Sequence, residues 1–268
     1  MRSLWNGSIS FGLVNVPVKM FAATEDKDVR FRTLHKECNT PIQYRKFCPN
    51  CEREVANEEL VKGFEYERGQ FVIITEEDLQ ALAVSQTRAI EIEDFVNLPE
   101  IDPIYYHKTY YLAPGETGQK AYWLLRRAME QTNKIAIARI VLRDKQRLAA
   151  VRVLPDCLSL SMMFYPDEIR ATSELRPDQP VQLHEKELLM ATQLIDSLTQ
   201  PFDASKYKDD YREELLQLVE ARVAGAAVAI PDAPRQNKVV DLMEALKASL
   251  EMVEKNREEK QARPTGND

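Results

Sequence analysis

Residues 134–152 read K-I-A-I-A-R-I-V-L-R-D-K-Q-R-L-A-A-V-R: two apolar, β-branched runs flank the polar break Asp144-Lys145-Gln146. That pattern predicts a β-hairpin. Arg139 and Arg143 stand at an even spacing, which places both on one face of the outgoing strand, and Arg147 and Arg152 follow on the return strand. Guanidinium groups this dense repel one another unless an anion lies against them. A phosphate backbone is the commonest such anion, and a solvated surface hairpin is the plain alternative.

The whole chain carries a formal charge of −7, which by itself argues against a polyanion as partner. Divided along the sequence, the charge is net +4 over residues 1–50, −10 over 51–103, +6 over 104–160 and −7 over 161–268. Local charge governs where a polyanion docks, so two basic blocks separated by acidic ones remain compatible with one basic surface. Apolar runs of membrane-spanning length are absent, and the N-terminus M-R-S-L-W-N-G has no export-type apolar segment. The expected location is the cytoplasm.

Leu4–Phe21 reads as strand, bend, strand, and Gly63–Thr75 as a hairpin turning at Arg68-Gly69. Thr75 is placed to cap a short helix, with Asp78 at the reciprocal position where Glu or Gln is usual. Further strands are expected at Ala89–Phe95, Tyr105–Leu112 and Leu158–Tyr165, with a helix over Gln119–Glu130. Many short strands at close spacing suggest a β-barrel with helical additions, ending near Pro180. Beyond it, Leu183–Leu198 and Tyr211–Ala221 are amphipathic helices, Ala229–Pro234 reads as a linker, and Leu242, Leu246, Leu250 and Val253 line one stripe of a last helix. From about Asn256 the chain is expected to be disordered.

His35, Cys38, Cys48 and Cys51 stand as H-x-x-C and C-P-N-C, two pairs at the spacing that lets both members reach one tetrahedral ion. Four such ligands close the shell, so a zinc ion here would be structural. The alternative is a hairpin with packed cysteines, since no glycine follows Cys51 to make a tight turn. Lys46 lies between the pairs and offers a phosphate contact. Phosphate-cradling glycine loops and nucleophile elbows are absent, and the acidic runs Glu76-Glu77-Asp78 and Glu91, Glu93 are best explained as a helix first turn and a polar strand face. No enzyme is expected; a metal-dependent end-processing nuclease and a zinc-ribbon DNA-binding regulator are the rival readings.

Several long runs occur together and in order: W-N-G-S-I-S-F-G-L-V-N-V-P-V-K from Trp5, G-F-E-Y-E-R-G-Q-F-V from Gly63, I-D-P-I-Y-Y-H-K-T-Y-Y-L-A-P from Ile101, K-A-Y-W-L-L-R-R-A-M from Lys120, I-A-R-I-V-L-R from Ile137 and V-V-D-L-M-E-A-L-K-A-S-L from Val239. In these the chain resembles bacterial Ku, the DNA-end-binding family of non-homologous end joining, over about residues 2–255. The resemblance implies a mixed β/α fold: a Ku-type β-barrel core with long arm and bridge hairpins over residues 1–180, holding the 35–51 knuckle, then a helical arm over 181–230. It further implies a C-terminal ligase-recruiting segment over 231–268, in which Asp241, Leu242, Leu246 and Leu250 would meet an ATP-dependent end-joining DNA ligase. The implied assembly is a homodimer that closes a ring around double-stranded DNA ends, with no required cofactor. A ring that accepts any end needs contacts to sugar-phosphate and not to bases. Lys46, Arg126, Arg127, Lys134, Arg139, Arg143, Lys145, Arg147 and Arg152 are the expected contacts. The tail E-E-K-Q-A-R-P-T-G-N-D departs from the long lysine-rich extension of many bacterial members.

Overall fold

The computed structural model describes residues 1–83, 88–142, 145–175, 182–225 and 242–262. Its strands and helices follow in the order β1 (Trp5–Phe11), β2 (Val14–Ala22), β3 (Phe47–Cys48), β4 (Arg53–Glu54), β5 (Lys62–Glu67), β6 (Gln70–Ile74), α1 (Glu76–Ala83), β7 (Ala89–Val96), β8 (Tyr106–Pro114), α2 (Gln119–Thr132), β9 (Ile135–Leu142), β10 (Lys145–Val153), β11 (Leu158–Met163), α3 (Glu185–Leu198), α4 (Asp210–Val223) and α5 (Leu242–Ala262). The chain divides into two compact units, one of residues 1–27 and 31–171, the other of residues 28–30 and 172 onward.

Seven strands of the first unit close a barrel in the order β1-β2-β8-β11-β10-β9-β7, so the expected barrel with helical additions is what forms. Alternation places one side of each strand inside: Ile9, Val16, Val18, Met20, Ile90, Leu112, Ala138, Ile140, Val151, Leu158 and Leu160 are buried in one cluster. The small residues Ala136, Ala138 and Ala149 leave room for the methionines and leucines opposite. All pairings are antiparallel except the short closing one, Ser8–Ser10 against Ala89–Glu91.

Residues 23–88 leave the barrel between β2 and β7. Within this excursion β5 and β6 pair as a separate hairpin that turns at Arg68-Gly69, where Gly69 adopts φ 80°. Thr75 and Asp78 cap α1 reciprocally, the Thr75 N–H donating to the carboxylate at 2.9 Å and the Asp78 N–H donating to the Thr75 hydroxyl at 3.2 Å. The cap was legible in the sequence, shortened side chain included.

α2 is fixed to the barrel by two side chains. Tyr122 is fully buried; its hydroxyl donates to the Leu112 carbonyl at 2.6 Å and accepts from the Leu158 N–H at 2.7 Å, inserting into the end of the β8–β11 ladder. Arg126 is only 8% exposed and reaches the Leu154 and Pro155 carbonyls at 2.8 and 2.5 Å, holding the β10–β11 turn. The helix can approach β2 closely because Gly118 stands there: a Cβ would fall 2.7 Å from the Pro17 ring. Asn133, at φ 50°, ends the helix, its N–H donating to the Glu130 carbonyl while the Lys134 N–H donates to that of Met129.

In the second unit α5 packs against α3. The helix α5 runs to Ala262, six residues past the point where order was expected to end. Its extra length follows from good helix formers, E-K-N-R-E-E-K-Q-A, continuing without a glycine or proline.

Burial pushes the Tyr122 phenol up to about 12, and the Leu158 N–H offsets only part of that. A pKa above the unfolded value near 10 means that the native state holds this proton more tightly, so the contribution is complete below about pH 10 and disappears as pH rises toward 12. Tyr122→Phe should cost roughly 1–3 kcal/mol at neutral pH. Denaturant titrations at pH 8 and at pH 11 should show that difference shrinking at the higher pH.

Candidate nucleic-acid interface

Of the nine cations proposed from the sequence, the eight that lie among the described residues separate into three groups. Arg126 belongs to the fold, as does half of its neighbour's charge: Arg127 is exposed but shares the Glu130 carboxylate, 3.6 Å for Arg127 and 3.3 Å for Arg126. Arg126 is therefore removed from the set of phosphate contacts, because its guanidinium is buried against backbone carbonyls.

A second group is exposed but already engaged. Arg139 points out from the barrel between the inward Ala138 and Ile140, and it forms an ion pair with Glu93 across the β7–β9 pairing. The acidic block thus supplies, inside the chain, a counter-charge to Arg139 of the basic hairpin. Lys134 donates to the Asn97 side chain at 2.6 Å, and Lys46 to that of Asn57 at 2.8 Å. These two amide partners are neutral, although the Glu100 carboxylate lies close enough to Lys134 to feel its charge.

The third group lies on β10. Lys145 is exposed and Arg147 half-buried, and neither side chain has a hydrogen-bond or ion-pair partner among the described residues. Both start the strand, on the side that turns inward further along at Ala149 and Val151. Arg152 sits on the opposite side, with Ala150 and Leu148, and its Nε is buried without a partner. Its charge lies close enough to the Tyr106 hydroxyl to oppose the upward pull of burial on that phenol. Seven residues of strand separate Lys145 from Arg152, about 23 Å, so the two ends of β10 are distinct surfaces. Arg143 lies outside the described residues.

Both cysteine-containing turns have the same local form. The first holds His35 Nδ1 and Cys38 Sγ at 3.1 Å, with Asn39 at φ 54° and the Asn39 N–H donating to the His35 carbonyl. The second spans β3 and β4, with Cys48 facing Arg53 in register and Glu52 at φ 50°. The left-handed position after Cys51 is therefore occupied without a glycine. The backbone N–H of Cys51, then its side chain, then the N–H of Asn50 lower the Cys48 thiol, and the Cys51 thiol is raised by its neighbour Cys48. The Thr40 hydroxyl, then its N–H, lower the Cys38 thiol. Such donors favour the thiolate that a metal requires. The donor set of one imidazole and three thiolates fits zinc in kind, though among the described residues no three of these ligands converge on one point.

The apolar stripe of α5 is split by the fold. Leu246 and Leu250 are half-buried on the helix that packs against α3, Leu242 is 60% exposed, and Asp241 lies outside the described residues. The acidic runs form no cluster: Glu76, Glu77 and Asp78 make the first turn of α1, and Glu93 is paired. Among the described residues no helix is long and apolar enough to cross a membrane.

Residues 10–190 match the family model described as the Ku70/Ku80 beta-barrel domain. A protein of Heliobacterium modesticaldum named non-homologous end joining protein Ku is 52% identical over 98% of this chain and 96% of its own length. A protein of the same name from Bacillus subtilis is 47% identical over 98% of this chain and 86% of its own length. One from Symbiobacterium thermophilum is 52% identical over 96% of this chain but only 64% of its own length. With a closed seven-stranded barrel covered by that model and relatives alike from end to end, the chain belongs to the Ku family.

Proposed function

We propose that this protein is the DNA-end-binding component of non-homologous end joining, a non-catalytic homodimer that encircles duplex DNA without sequence preference. Family membership supports the role, and one observation carries the mechanism: Lys145 and Arg147, at the start of β10, have no ion-pair partner among the described residues. Arg and Lys on a strand can meet sugar-phosphate, and a ring that accepts any end needs no base contact. Arg139, held by Glu93, is a weaker contact than its position in the sequence suggests.

The β5–β6 hairpin supports the second copy. Phe64 and Phe71 are 63% and 62% exposed, and Tyr66, Val72 and Ile73 are exposed beside them. A lone two-stranded hairpin is marginal in water, and this one leaves apolar side chains uncovered on both faces. Burial against the matching hairpin of a second chain satisfies both conditions.

Replacing Lys145 and Arg147 together with Ala should weaken linear-duplex binding by at least tenfold. It should also lower the slope of log K against log salt by about two, as loss of two phosphate contacts requires. Phe71→Asp should yield monomers in sedimentation and abolish the preference for linear over closed circular duplex. Equal binding of both DNA forms by the unmodified protein would support the regulator reading, and cleavage of end-labelled duplex with Mg²⁺ or Mn²⁺ the nuclease one.

A structural zinc ion is proposed for His35, Cys38, Cys48 and Cys51, drawing the two turns together. Metal analysis should find about one zinc per chain in the purified protein and none in the Cys48→Ser, Cys51→Ser variant, which should be cut faster by protease within residues 31–59. A metal-free wild-type protein with the same protease pattern as the variant would end this proposal.

The C-terminal segment is proposed to recruit an ATP-dependent end-joining ligase through Asp241, the exposed Leu242 and the half-buried Leu246 and Leu250. Removing residues 239–268 should leave DNA binding intact and abolish stimulation of the ligase. Leu242→Asp, which touches the exposed end of the stripe, should reproduce the loss without unfolding α3.

A further inference from the structure

An open cavity of about 500 Å³ lies where the end of α2, the end of β10 and the turn at Leu98 meet. Leu98, Met129 and Val153 form an aliphatic floor, and two cations, Lys134 and Arg152, line it. The Arg152 guanidinium has no acceptor among the described residues, and its buried Nε is left without a bond. Buried donors are seldom left unmade, and a guanidinium can only donate; the Tyr106 hydroxyl near it is buried and unbonded too, so no acceptor is engaged by Arg152 among the described residues.

We propose that this cavity binds an organic monophosphate of nucleotide size, with the phosphate on Arg152 and Lys134 and the body on the aliphatic floor. Charge favours an anion. Glu130 also lines the cavity, but its carboxylate is committed to Arg126 and Arg127. The negative end of α2 offsets about half a charge, which two cations outweigh. Size favours more than a bare ion, since the volume lies within the range of small-molecule sites, roughly 300–1,000 Å³. The planar fork of Arg matches two phosphate oxygens at once; Lys134 hydrogen-bonds the neutral Asn97 side chain, and the nearby Glu100 carboxylate is itself engaged by Asn97. The site is separate from Lys145 and Arg147, being on the other side of β10 and at its other end. A nucleoside monophosphate unit can come from a free nucleotide or from the phosphorylated terminal nucleotide of a frayed DNA end, and both present the same chemistry.

Calorimetric titration of the full chain with adenosine 5′-monophosphate, inorganic phosphate and adenosine tests the proposal. Saturable binding of the nucleotide is expected, with phosphate at least tenfold weaker and adenosine silent over the same range. Arg152→Gln should weaken the nucleotide by at least tenfold at an unchanged thermal midpoint. Lys134→Gln should weaken it severalfold and serves as the readout if the first variant fails to fold. No saturable binding of the nucleotide up to millimolar concentration, or binding untouched by both substitutions, would overturn the site. Competition then identifies the source: displacement by a frayed duplex with a 5′-phosphate, and not by its 5′-hydroxyl counterpart, supports a DNA terminus, and displacement by neither supports a free nucleotide.

Discussion

The molecule depends on a short closure. Three residues of β1, Ser8–Ser10, pair in parallel with Ala89–Glu91 of β7, and that contact alone turns an open sheet into a barrel without edges. Because β7 must lie between β1 and β9, the 66 residues from 23 to 88 have to leave the barrel and come back beside the strand where the fold began. The two cysteine turns and the β5–β6 hairpin lie in that excursion, and β3-β4 and β5-β6 form sheets of their own, separate from the barrel.

The same topology decides which charges are free. Pairing β7 with β9 sets an acidic strand against a basic one, and Glu93 takes Arg139. Seating α2 on the barrel consumes Arg126 through backbone carbonyls and places Glu130 between it and Arg127. Lys145 and Arg147 of β10 stand opposite Leu142 and Ile140 of β9, and neither has an ion-pair partner among the described residues. A net charge of −7 is therefore no obstacle to a polyanion partner, since the acidic residues are used up locally or lie elsewhere.

Apolar exposure follows a similar logic. The barrel interior is sealed, with Ile9, Val16, Ala136, Leu158 and Leu160 inaccessible, whereas the β5–β6 hairpin and the outer residues of α3 and α4 hold large side chains in water. A chain that buries its core so completely has no need to leave Phe64, Phe71 and Tyr66 exposed for its own folding. Their exposure is what the proposed pairing with a second copy would cover.

Local features were legible in the residues themselves. The Arg68-Gly69 turn, the Thr75–Asp78 cap, α2 and the hairpin of β9 and β10 are each set by side chains within a few positions of one another, and periodicity or a single glycine reports them. The absence of a glycine after Cys51 is legible too, but not that Glu52 adopts the left-handed conformation in its place. What no run of sequence could reveal was which distant partner each side chain would meet. Glu93 is 46 residues from Arg139, and the Arg126 carbonyl partners are 28 and 29 residues away. Strand order and register choose those pairs, and they depend on closing a barrel as a whole. The sequence by itself therefore determined the elements, the turns and the inventory of cations and thiols, while the tertiary structure alone decided which cations stay unpaired and where Arg152 acquires a cavity, because burial and ion pairing are properties of neighbours in space and not along the chain.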